Sequence, residues 1–172
     1  VLLAGVTFTP ASNFNANITI ATSVTDGVAA ALTGTKTMNG TAVNDAPTAS
    51  NLSAAESYTE DSTLNPLVDI VTADVDSASL TVTLTLSNIA AGSLSTATSG
   101  AVTSTYVAGT GVWTASGAIA NVNVLLAGVT FTPALNFNAA FTIATAVSDG
   151  ALSATGSKAM TGTAVNDAPT AS

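Results

Sequence analysis

The chain has no cysteine and no histidine, and only two basic residues, Lys36 and Lys158, among 172. Without cysteine there is no disulfide and no thiolate metal site; the absence leaves the redox compartment open. Without histidine, the commonest general base and the commonest transition-metal ligand are both missing. Two cations against ten acids leave nothing to neutralise phosphates, which excludes nucleic acid as a partner. Long apolar runs are absent too. VLLAGV at 124–129 is typical, too short for a membrane-spanning helix, so no membrane insertion is expected. The chain does not open on a basic segment followed by an apolar core, so any signal peptide is expected outside this sequence.

What is present is apolar and regular. Hydrophobic residues make up 47% of the chain and recur in alternation with Thr and Ser, a composition that opposes disorder. Ser79–Ser87 (SLTVTLTLS) alternates as a half-buried strand does. Residues 140–147 (AFTIATAV) place Phe141, Ile143 and Val147 on one face, with Thr145 interrupting it. GVWTAS at 111–116 puts Trp113 near the core, and Ile119–Ala127 is expected to make one or two helical turns at most. Gly, Ser and Asn clusters punctuate the rest at the spacing of a β-sandwich. The expected fold is an all-β, Ig-like sandwich of seven or more antiparallel strands.

The sequence also repeats itself. Residues 1–27 match residues 124–150 at 22 of 27 positions, and GTAVNDAPTAS occurs identically at 40–50 and 162–172. The offset of 122 to 123 residues is the size of a domain rather than of a solenoid repeat. Boundaries fall at the two Asn-Asp-Ala-Pro steps. Residues 1–43 then form the C-terminal part of one repeat, 44–50 a linker, 51–165 a complete repeat, and 166–172 a linker to the next. Residues 1–43 complete their sheet either within a longer chain or with strands of another molecule.

Residues 77–148 contain no charge at all, where ordinary composition would place about 18. Against that background the acids stand out: Glu56, Glu60 and Asp61, Asp69, Asp74 and Asp76, Asp149 with its copy Asp26, and Asp45 with its copy Asp167. In an Ig-like topology the loop of Asp74 and Asp76, the turn of Asp149 and the linker of Asp45 lie at one end. Glu60 and Asp61 lie at the other, beside Asp167. Carboxylates gathered without a cation invite Ca²⁺, which takes six to eight oxygen ligands, whereas Zn²⁺ lacks its usual Cys and His. Simpler readings stand beside this one. Asp-Gly is a common hairpin turn, Asn-Asp-Ala-Pro serves equally as a linker that stops strand pairing, and Asp69 in LVDIV reads as a solvent-facing strand residue. Glu56 is ambiguous.

TAVNDAPTAS resembles the inter-domain linker of cadherins, and more closely the bacterial cadherin-like repeats of very large surface adhesins. The likeness runs in order through Tyr58-Thr59-Glu60-Asp61, Asp74-Val75-Asp76 before a Leu-Thr-Val strand, LLAGVTFTPALNFN, VSDG and VNDAP. It implies calcium-stiffened joints between successive domains. Asn44 (through its carbonyl), Asp45, Asp74, Asp76 and Asp149 would serve the entering joint; Glu60, Asp61, Asn166 and Asp167 would serve the exit joint. Ala42 and Ala46 stand where cadherin linkers carry Asp and Asn, and no Asp-Arg-Glu motif occurs, which implies fewer ions per joint. The resemblance implies an extracellular, bacterial cell-surface stalk whose partners are neighbouring repeats, with self-association into fibres as a further possibility. A glycan- or protein-binding module is the competing class; its candidate, Phe137 in Asn-Phe-Asn, also fits the core. An enzyme is not expected, since nucleophilic triads lack their His or Cys.

Overall fold

The structure, a computed structural model, describes residues 5–62 and 65–169, Asn65 by its backbone alone. The first four residues of the expected partial repeat and the last three of the exit linker therefore lie outside the described residues. Strands hold 44% of the chain and helix 7%, so the all-β class holds. The chain divides into two units, Val1–Asn44 and Asp45–Ser172.

In the first unit, β1 (Ile18–Val24) and β2 (Leu32–Met38) form an antiparallel hairpin in register from Ile18↔Met38 to Val24↔Leu32. Its turn is closed by Asp26, whose Oδ1 accepts the N–H groups of Val28 and Ala29 at 3.0 and 2.9 Å. Those donors stabilise the charged form and lower the Asp26 pKa below the usual carboxylate value.

The second unit runs through β3 (Thr48–Ala49), β4 (Glu56–Thr59), β5 (Asn65–Pro66), β6 (Thr72–Ala73), β7 (Ser79–Leu86), a 3-10 turn (Ile89–Ala91) and β8 (Gly92–Leu94). It continues through β9 (Thr98–Ser99), β10 (Val102–Thr103), β11 (Thr105–Val107), β12 (Val112–Ala118), α1 (Ile119–Ala127), β13 (Thr130–Pro133), β14 (Phe141–Ser148) and β15 (Ser153–Thr163). The main sheet has six strands in the order β11-β12-β7-β14-β15-β4, and a second has three, β5-β13-β8. β3–β6 and β9–β10 make small two-stranded pairs.

Alternation decides which side chains enter the core. Leu80, Val82, Leu84 and Leu86 of β7 are all at most 3% exposed, while the intervening threonines stay half-buried. One cluster joins them to Trp113 of β12, Phe141, Ile143 and Val147 of β14, Leu94 and Phe131 of the three-stranded sheet, and Val122, Leu125 and Leu126 of α1. Each fully buried aliphatic or Phe side chain contributes roughly 1.5–3 kcal/mol. Trp113 is wholly buried and donates Nε1–H to the Ser95 carbonyl at 2.9 Å, so its one polar atom is satisfied. Thr145 stays on the inward face, donating its hydroxyl to the Leu52 carbonyl at 2.8 Å.

Three sequence expectations are corrected. The main sheet is mixed rather than antiparallel throughout, because β4 and β15, the first and last of its strands in chain order, pair in parallel. Parallel neighbours need a long connection, and here the connection is nearly the whole unit. Helix α1 reaches nine residues, beyond the two turns expected, because Val122, Leu125 and Leu126 give it a buried stripe. Asp69 lies outside any strand, and its Oδ1 is buried rather than facing solvent. Among the described residues, no helix is long and apolar enough to cross a membrane.

Candidate functional site

Two groups of polar residues are built by the fold. The first is the set of acids assigned to the entering joint. Asp74 folds back on its own loop, its Oδ1 accepting the N–H groups of Asp76 and Ser77 at 2.8 and 2.7 Å. This is the short-range bonding that Asp favours in turns. Its Oδ2 is buried without a hydrogen-bond partner. Asp76 uses Oδ2 to accept the Asp45 N–H at 2.7 Å, which fixes the chain entering the unit against this loop. Asp149 closes the β14–β15 turn, its Oδ1 accepting from Ala151 and Leu152, both at 2.6 Å. Asn44 is exposed.

The structure thus joins Asp45 directly to Asp76 and gives Asp149 the turn role. Among the described residues, no three acidic side chains come together as a group that could hold a metal ion.

The residues assigned to the exit joint are used differently. Glu60 is 4% exposed, and both its oxygens are engaged. Oε1 accepts the Val165 N–H, and Oε2 accepts Asn138 Nδ2–H, each at 2.7 Å. Asp61, with a positive φ of 59°, accepts the Asn136 N–H through Oδ1 at 3.0 Å. Asn166 bonds the adjacent Asp167 carbonyl, and both are exposed. Glu60 and Asp61 therefore fasten β4 to the last part of the unit.

The second group surrounds β4 and was legible only in part. Lys158 of β15 is fully buried and pairs with Glu56 of β4 at 2.8 Å. The two hold the backbone of one residue from both sides: Glu56 Oε1 accepts the Val68 N–H at 2.8 Å, and Lys158 donates to the Val68 carbonyl at 3.2 Å. Buried charge persists only when paired and hydrogen-bonded like this. Two residues along β4, Tyr58 enters an aromatic seat. Its ring meets Phe131 edge-on at 5.1 Å, stacks on Phe137 at 6.2 Å and meets Phe141 at 5.8 Å. Its hydroxyl donates to the Ala139 carbonyl at 2.6 Å. Burial raises the Tyr58 pKa, and the Glu60 carboxylate raises it further.

Sequence reasoning missed Lys158 and left Glu56 ambiguous. The available signal was positional: the only two lysines occupy equivalent places in the two copies, each two residues before a methionine that ends the apolar face. Phe137 belongs to the seat of Tyr58, as the core reading had it. No protein-family model matches the chain, and no curated protein matches it either.

Proposed function

We propose that the chain is a structural module of an extracellular bacterial repeat protein, a stalk or filament segment built as tandem β-sandwiches of about 122 residues. The observation that carries this reading is the repeat itself. A stretch of 11 residues ending in a Pro-marked linker recurs without change, alongside a segment matching at 22 of 27 positions. Near-identity over a domain-sized offset suits bulk and reach. The charge-free span 77–148 and the missing His and Cys supply no catalytic constellation. We assign no enzymatic activity.

The joints of such an array would take Ca²⁺ at Asn44, Asp45, Asp74, Asp76 and Asp149, with Glu60, Asp61, Asn166 and Asp167 at the next joint. The ion would cross-link linker and loops through oxygen ligands and fix the angle between neighbours. Asp74 Oδ2 supports this, because a buried oxygen without a partner gains most from a cation. Calcium titration of a recombinant protein spanning two complete repeats tests the proposal. Scattering should report a longer particle, and melting a higher Tm, with calcium than with chelator. Unchanged length and Tm would remove the metal and leave the stalk.

A fibre assembled by strand exchange is the second reading. It extends the expectation that residues 1–43 complete their sheet with strands of another molecule.

A further inference from the structure

The seat of Tyr58 is present twice in the chain, and one copy is open. The residues that hold β4 in the second unit recur in the first, 122 or 123 positions earlier. Phe131 and Phe137 recur as Phe8 and Phe14, Lys158 as Lys36, and Asn138 as Asn15; Phe141 alone changes, to Ile18. The backbone recurs with them. Asn13 and Asn136 both take positive φ, 61° and 56°. Gly40 abuts the Asn15 carbonyl as Gly162 abuts that of Asn138, so neither position has room for a side chain. The ladder Ile18↔Met38 repeats Phe141↔Met160.

What differs is exposure. In the first unit these residues line an open groove of about 280 Å³, walled by Phe8, Phe14, Ile18 and Met38. Phe8 is 45% exposed where Phe131 is 0%, and Lys36 is exposed where Lys158 is 0%. Among the described residues, the outer edge of β2 carries no strand, whereas the corresponding edge of β15 carries β4. An apolar socket, a single cation and an open strand edge lie side by side.

We infer that residues 5–44 are an acceptor for one occupant, an extended segment of the Glu-x-Tyr-x-Glu-Asp chemistry that residues 56–61 carry. It adds in parallel along β2. The tyrosine enters between Phe8, Phe14 and Ile18, and the first glutamate pairs with Lys36. The second glutamate is held by the Asn15 side chain and the Val43 N–H, the counterparts of Asn138 and Val165. The aspartate accepts from the Asn13 N–H, the counterpart of Asn136. Main-chain pairing along an edge gives affinity, and pockets for alternate side chains give selectivity. Charge sharpens it, since Lys36 is the one cation in this half of the chain and a neutral strand leaves it unpaired. The inference rests on the tandem-repeat reading but not on calcium.

The test titrates the full chain, in chelator, with a fluorescent peptide of the sequence of residues 54–62, read by anisotropy and amide NMR. Saturable binding is expected, with shifts confined to residues 8–43. Tyr58→Ala or Glu56→Gln in the peptide, or Lys36→Gln in the chain, should each weaken binding by about tenfold or more. Lys36 is exposed, so its replacement leaves the hairpin intact. A peptide of residues 79–86, matching the other edge of the hairpin, is the control. No saturation at millimolar peptide, equal binding of the control, shifts centred on residues 130–165, or indifference to Lys36→Gln would each overturn the inference. Because calcium is absent throughout, the socket and the metal joint fail separately.

Discussion

Lys158 and Glu56 form an ion pair of 2.8 Å between the last and first strands of the main sheet in chain order, with side chains 0% and 5% exposed. Replacing Glu56 by Gln or Ala strands a buried ammonium and should cost about 3–5 kcal/mol by chemical denaturation. The double replacement Glu56→Leu with Lys158→Met should recover part of that loss. Recovery stays incomplete, because the Val68 N–H and carbonyl lose their partners together. A double-mutant cycle showing no coupling would contradict this assignment.

Alkali should destabilise the second unit through its tyrosines. Burial raises the pKa of Tyr58 and of Tyr106 above the ordinary phenol value of 10.0, so the folded state retains the phenol proton longer than the unfolded chain does. Their contribution to stability is full below pH 10.0 and falls as pH rises through the raised folded values. Tyr58→Phe should flatten the alkaline limb of a Tm-versus-pH curve, at some cost in neutral stability from the lost bond to Ala139.

Gly162→Ala should destabilise the second unit, since the added Cβ lands on the Asn138 carbonyl, which is backbone and cannot move aside. A loss of about 2 kcal/mol or more in equilibrium unfolding is expected. Gly128→Ala is the comparison: its nearest neighbours lie at 3.7 and 3.8 Å, and the change should be mild.

Thr145→Val keeps the shape of an inward-facing residue of β14 and removes its donor to the Leu52 carbonyl. About 1–2 kcal/mol should be lost, with little change in the denaturant slope.

Asp149→Ala should cost about 1 kcal/mol in chelator as well as in calcium, because the carboxylate already accepts two backbone N–H groups in its turn. Any additional loss seen only with calcium measures the metal contribution of this residue.

Much of the fold could be read directly. The Leu/Val–Thr alternation of β7 placed its buried face, and the aromatic and β-branched residues of β14 placed theirs. Thr145 looked like an interruption because composition cannot reveal a carbonyl waiting 93 positions away. The same long separation hid the pairing of Lys158 with Glu56, 102 positions apart, and the parallel docking of β4 on β15. Of the joint acids, Asp45 meets the Asp74–Asp76 loop through its backbone N–H, which donates to Asp76. The sequence could not tell that Glu60 is bonded to Asn138 and Val165, since both partners are uncharged and distant in the chain. Local pattern reports which face is buried; it is silent on which distant polar group meets which.

The parallel register of β4 on β15, from Glu56↔Met160 to Thr59↔Thr163, has a mechanical meaning. Tension applied through the chain enters at the beginning of one strand and leaves at the end of its parallel neighbour. The ladder is then loaded in shear, its hydrogen bonds stretched together rather than unzipped one by one. Lys158–Glu56 bolts one end of this ladder, and the Glu60–Val165 bond secures the other. A module fastened in this way resists being drawn out along its length more strongly than being peeled open from the side.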